Sequence, residues 1–145
     1  MRAPQISCSF SGHRPEKLPW GDNERDERCL TLKASIREMV EKAYADGYRH
    51  FICVMARGCD TYFCEEVLHP AAQQERYRDL LALCNYRTVV QEKYDPGCMH
   101  RRNRYMVDHS SLLLAVHDGS TGGTRYTIEY ALRRRKDVLI LPVPR

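Results

Sequence analysis

Three short stretches of this 145-residue chain carry residue types suited to holding an anion. The fullest is Asp118-Gly119-Ser120-Thr121-Gly122-Gly123-Thr124, which follows the apolar run Leu112–Val116 and precedes what reads as a helix opening at Thr124. A strand that turns through glycines into a helix start leaves backbone N–H groups unpaired at the positive end of a dipole, and phosphate fits there. Gly122 and Gly123 let a ligand approach the backbone, and Thr124 offers a hydroxyl and a helix cap. An ordinary tight turn uses the same residues, and two glycines alone do not separate the two readings.

Arg102 and Asn103 come next. Met99, Arg102, Asn103 and Met106 fall at i, i+3, i+4 and i+7, one face of a helix. A guanidinium between two methionines on a packed face is costly unless it meets an anion or a carboxylate. Asp108 and Asp118 are the carboxylates that would make its role purely structural, whereas Arg101 and Arg104 fall elsewhere and read as solvated. Arg57-Gly58 supplies a second cradle at a helix start, with Arg57 free to reach phosphate, and Gly12-His13-Arg14 supplies a third. His13 titrates near neutrality and could act as acid or base, although hydrogen bonding or ligand contact is commoner for such a histidine. Glu129, five residues past Thr124, could touch a ribose or activate water. A solvated helix carboxylate is the equal alternative.

The elements that must position these groups alternate. Gln5–Phe10 reads as a strand, and a loop follows from Lys17 to Arg28, whose Trp20 either caps the site or, the favoured reading, pins the loop to the body. Leu32, Ile36, Met39, Val40 and Ala43 predict a helix over Leu30–Asp46, closed by Gly47. Phe51–Met55 is a continuous apolar strand, and Asp60 reads as the N-cap of a helix to Leu68 with Cys64, Val67 and Leu68 inward. Pro70 opens a further helix with an inner stripe of Tyr77, Leu80, Leu81 and Cys84. Tyr86–Val90 is a strand, Tyr94–Cys98 a loop and Val138–Leu141 a last strand. Uninterrupted apolar strands between helices predict a parallel sheet covered on both faces, with ligands beyond the carboxyl ends of the strands.

Composition frames this. Hydrophobic residues make up 43% and charged ones 29%, so a single globular domain over residues 1–145 is expected. A net charge of +4 permits a nucleic-acid partner without demanding one. The seven cysteines include no C-x-x-C pair and no Cys/His grouping with zinc-ligand spacing, so no metal is expected and reduced, buried thiols are. With no signal peptide and no apolar run near about 20 residues, the expected place is the cytoplasm, without membrane contact.

Phe10–Pro19 (F-S-G-H-R-P-E-K-L-P), Met55–Asp60 (M-A-R-G-C-D), Cys98–Asp108 (C-M-H-R-R-N-R-Y-M-V-D) and Ala115–Thr124 (A-V-H-D-G-S-T-G-G-T) resemble, in this order, the YpsA-like branch of the SLOG superfamily. These Rossmann-like proteins are related to the Lonely Guy phosphoribohydrolases and to the DNA-processing protein DprA. The resemblance implies a bacterial protein with a three-layer Rossmann-like α/β fold, a mostly parallel sheet and a nucleotide-related ligand at the glycine turns. Val54 stands where that branch usually has glycine. The strand expected near residue 69 is also missing: either the chain lacks it or residues have dropped out there, the second being favoured because two helices cannot directly follow a parallel strand. Thr127 occupies the position of the Lonely Guy glutamate, and Glu129 is two residues further on, a rotation of about 200°.

Three functions follow. The leading one is binding of a small nucleotide-derived ligand, as sensor or carrier, through Gly12, His13, Arg14, Arg57, Gly58, Arg102, Asn103, Asp118, Gly122, Gly123 and Thr124, with no cofactor required. The second is phosphoribohydrolase-like cleavage of a nucleoside monophosphate with Glu129 and His13 in proton transfer. The weakest is DprA-like binding of single-stranded DNA. A homo-oligomer is left open.

Overall fold

The computed structural model describes residues 7–54, 56–68 and 97–145. Along the chain lie β1 (Ser7–Ser11), a single 3-10 turn (Pro15–Lys17), α1 (Glu27–Ala45), β2 (His50–Ile52) and α2 (Cys59–Leu68). Then come α3 (Cys98–Asp108), β3 (Leu112–Val116), α4 (Gly123–Arg133) and β4 (Asp137–Leu141). The strands form one parallel sheet in the order β2-β1-β3-β4, with Cys8 opposite both Phe51 and Leu112.

The apolar run of β3 shows why helices lie on both faces. Successive side chains of a strand point to opposite sides. Leu114 and Val116 join Cys8 and Phe10 of β1 in a core shared with α1 and α2, while Leu113 and Ala115 join Met106, Val107, Ile128 and Ala131 of α3 and α4. Along β1 and most of β3 both faces are buried, whereas Leu139 and Ile140 of the edge strand β4 stay exposed, and helices on either side of the central strands make the fold a three-layer, Rossmann-like α/β domain.

Boundaries shift for local reasons. β1 ends one residue later than expected, at Ser11, and β2 stops at Ile52, before Cys53 and Val54, because its ladder with β1 spans only Ser7–Ser9. Val54 packs at the edge of the α3/α4 core. Helix α1 begins earlier, at Glu27, because Asp26 caps it by accepting the N–H of Arg28 at 2.8 Å. Its predicted stripe is buried throughout, and Gly47 follows the Asp46 C-cap at φ 107°. Asp60 is not an N-cap: α2 starts at Cys59, one residue before it. Trp20 is buried and donates to the Tyr62 hydroxyl at 3.2 Å, which pins its loop to the body.

The helix expected from Pro70, the strand Tyr86–Val90, the loop from Tyr94 and the question around His69 lie outside the described residues, as do the side chains of Met55 and Leu68. Among the described residues no helix is long and apolar enough to cross a membrane. From β1 the chain proceeds to β2 on one side, and from β3 it proceeds to β4 on the other. The order therefore reverses between β1 and β3, the position beyond whose carboxyl ends open α/β sheets place their ligand crevice.

Candidate functional site at the sheet's reversal point

The turns after β1 and β3 meet at that position. His13 is buried, and its Nε2 lies 3.0 Å from Asp118 Oδ1 and 3.2 Å from the Asp118 backbone nitrogen. It donates to the first or accepts from the second according to tautomer. Burial lowers the His13 pKa and outweighs the raising effect of Asp118, so the ring is neutral at pH 7. Asp118 is held below the usual carboxylate range, first by the Ser120 hydroxyl (2.6 Å) and backbone N–H (2.9 Å), then by His13. His117 Nε2 donates to the Ser120 carbonyl at 2.9 Å.

The turn after β2 leans on the same place. The Cys59 N–H donates to the His13 carbonyl at 3.1 Å, and a Cβ on Gly58 (φ 86°) would stand 2.7 Å from that oxygen. Only glycine accepts this backbone without strain. At Gly12 a Cβ would meet the Cys59 Cβ at 2.4 Å, so this glycine admits the start of α2. All three glycine-bearing turns thus lie on one side of the molecule.

Positive charge gathers there, and among the described residues no carboxylate pairs with Arg14, Lys17 or Arg102. Lys17 Nζ donates to Ser120 Oγ at 3.1 Å and to the Thr121 carbonyl, and lies against the backbone of Gly122, where a Cβ would be 2.7 Å away. Arg14 and Arg102 both donate towards one sulfur, Met99 Sδ, at 3.7 and 3.6 Å. A thioether is a weak acceptor. Arg102 is half-buried rather than in bulk solvent, and neither carboxylate considered for it is its partner. Asp108 takes the Tyr130 hydroxyl (2.9 Å) and Arg134 (3.2 Å), and Asp118 takes His13. Asn103 is buried on α3 with Met106.

Several expectations are corrected. Arg57 is not free: it reaches Glu16 at 3.4 Å and Asp22 at 3.3 Å, because the acidic residues of the preceding loop lie beside its turn. Thr124 does not cap α4. Gly122 is the N-cap, with no side-chain cap, and Thr124 is buried one turn-position inside. Arg104 is not simply solvated, since it donates to the Tyr126 hydroxyl at 2.7 Å. Glu129 is exposed and pairs with Arg125 at 3.4 Å. It lines an open depression of about 330 Å³ with Thr121, Gly122, Arg125 and Tyr126, on the outer side of the α4 start.

Sequence reasoning missed Lys17, His117, Ser120 and the burial of Asp60. The Asp60 carboxyl is 2% exposed and accepts the Ala56 N–H at 3.1 Å, bracing the turn from below. Burial pushes its pKa up to about 7, against the pull of that N–H and of Arg14. Lys17 sits in an aperiodic loop, and the only available signal was its place just past S-G-H-R-P.

Fold and site together define a Rossmann-like domain whose loops converge at the strand-order reversal, with a basic crest beside an uncapped helix start. Residues 37–145 match the family described as DNA recombination-mediator protein A, and the chain belongs to that family, a member of the SLOG superfamily. A stretch of 39 residues is 49% identical to the uncharacterized SPbeta prophage-derived protein YoqJ of Bacillus subtilis (strain 168). That match covers 27% of this chain and 23% of the relative, less than a quarter of its length.

Proposed function

We propose that this domain, on the YpsA-like side of its superfamily, binds a nucleotide or nucleotide-derived ligand in the cytoplasm as a sensor or carrier. The observation that carries the reading is the basic crest, which no carboxylate among the described residues pairs with: Lys17 against Gly122 and the two guanidinia about Met99, beside the exposed, uncapped start of α4. Two nitrogens so placed can both donate to one phosphate at about 2.8 Å. The depression behind Gly122, lined by Thr121, Arg125, Tyr126 and Glu129, gives a polar wall beside the crest against which a sugar can rest. Calorimetry against AMP, ADP-ribose, NAD and cyclic dinucleotides tests this. Binding of one of them that weakens in Lys17→Met supports the reading, and no heat with any of them from folded protein overturns it.

Single-stranded DNA is a second reading with an observation of its own. On the outer side of α3 and α4, His100 stacks on Tyr126 (4.0 Å), Tyr126 stacks on Tyr130 (6.4 Å), and Arg133 and Arg134 each lie 5.9 Å from the Tyr130 ring. Aromatic rings among arginines suit stacked bases and a phosphate backbone, and the family's DNA-processing description agrees. Retention on single-stranded DNA that falls steeply with salt would favour it. The hydrolase reading gains no comparable support, because Glu129 is engaged with Arg125.

A further inference from the structure

We propose that His13, His117 and Asp118 form a binding site for a borderline divalent cation of the zinc, cobalt or nickel kind. One nitrogen of each ring and one carboxylate oxygen lie within 4.8 Å of one another, brought together from the turns after β1 and β3. The two rings are tilted at 46° with centroids 5.5 Å apart, so they are not stacked face to face. A tetrahedral ion bound at about 2.0–2.1 Å needs donors roughly 3.4 Å apart, so the cluster closes by no more than about 1.5 Å.

Two further features favour a cation over a simple hydrogen-bonded knot. The first is the outer shell. A metal-bound histidine usually gives its other N–H to a carbonyl or carboxylate. His117 Nε2 already lies 2.9 Å from the Ser120 carbonyl, the partner for an N–H there, so Nδ1 is the nitrogen left to face a cation. Ser120 also fixes the carboxylate, through its N–H and hydroxyl on Asp118 Oδ1. One residue therefore orients two of the three donors.

The second is donor chemistry. Two imidazoles and a carboxylate suit zinc and its neighbours better than magnesium or calcium, which prefer oxygen alone. Three protein donors leave coordination positions for water or a ligand oxygen. Binding costs the 3.0 Å contact between His13 and Asp118, and the Lys17 ammonium on the far side of Ser120 opposes it. Micromolar rather than picomolar affinity is expected. Local spacing rules could not find such a site, because His13 and His117 are far apart in sequence.

The inference stands whether or not a nucleotide binds. Cobalt(II) is the probe, because thiolate ligation adds a near-ultraviolet charge-transfer band that imidazole and carboxylate donors do not. That distinction matters in a chain with seven cysteines. The reduced full chain is titrated with cobalt and then zinc, followed by visible absorption and equilibrium dialysis. The expected result is one equivalent bound, a visible d–d spectrum without the thiolate band, displacement by zinc, and affinity at least tenfold weaker in His117→Ala. The exposed His109 serves as control, and His109→Ala should bind as the parent does. Should His117→Ala melt early, Asp118→Asn, which keeps an acceptor for Ser120, replaces it with the same expectation. No stoichiometric binding by folded protein, a thiolate band, or affinity unchanged in Asp118→Asn overturns the site.

Discussion

The two faces of the sheet are built from different materials. Against α1 and α2 the strands present Cys8, Phe10, Leu114 and Val116 to a large, closed core, in which Phe10 stacks on Phe63 at 4.4 Å and Trp20 bonds Tyr62. Among the described residues the apolar set against α3 and α4 is smaller, and β1 contributes polar contacts instead, with Ser9 accepting from the Ser110 hydroxyl at 2.8 Å. The outer side of those helices carries the stacked rings and most of the clustered arginines. Stability is concentrated on the first face. Among the described residues the second face has fewer large side chains, and its helices present charge.

The largest expected effect breaks that division directly. Phe63→Ala removes a ring from the stacked pair in a core that has little freedom to collapse, and should cost about 3–5 kcal/mol in denaturant unfolding. If it costs under about 1 kcal/mol, the α1/α2 face is not where stability resides.

Asp60 lies beneath the crest yet within the same face. Its folded pKa of about 7 exceeds the ordinary 3.8, so between those values the folded chain holds a proton that the unfolded chain has released. The contribution is present in full below pH 3.8 and is lost as pH rises through 7, on the order of a few kcal/mol. Asp60→Asn should flatten that part of the stability profile while keeping an acceptor for Ala56. An unchanged pH profile would contradict it. Gly58→Ala, at φ 86° and against the His13 carbonyl, should cost about 1–3 kcal/mol by thermal melting.

What could be read in advance follows the same division. The strand Leu112–Val116 and the inner stripe of α1 were legible because burial imposes a period on apolar residues, and the period survives in sequence. The convergence of the three turns followed from the alternation of elements alone. Charge pairing was not legible. Arg57 is held by Glu16 and Asp22 only because two loops fold side by side, and His13 meets Asp118 across more than a hundred residues. Asp60 carried the residue type of a helix cap. Helix α2 instead begins at Cys59, and the buried Asp60 carboxylate accepts the Ala56 N–H, a contact across the turn that residue type alone does not reveal.

The smallest effect on stability gives the sharpest test of the comparison. Arg102 lies on α3, touches only a thioether among the described residues, and has no carboxylate partner there. Replacing it with methionine keeps helix propensity and most of the buried stem, so unfolding free energy should change by no more than about 0.5 kcal/mol. If the crest holds a phosphate, the same change removes a charged donor and should weaken ligand binding tenfold or more, about 1.4 kcal/mol. Arg133→Met, on the outer side of α4, should leave the small ligand untouched and reduce retention on single-stranded DNA if that face carries it. A loss of nucleotide affinity equal in both variants would mean that net charge, rather than the convergence of turns, attracts the ligand. Unequal losses, large for Arg102 and absent for Arg133, follow only if the guanidinium reaching across Met99 is part of the binding surface.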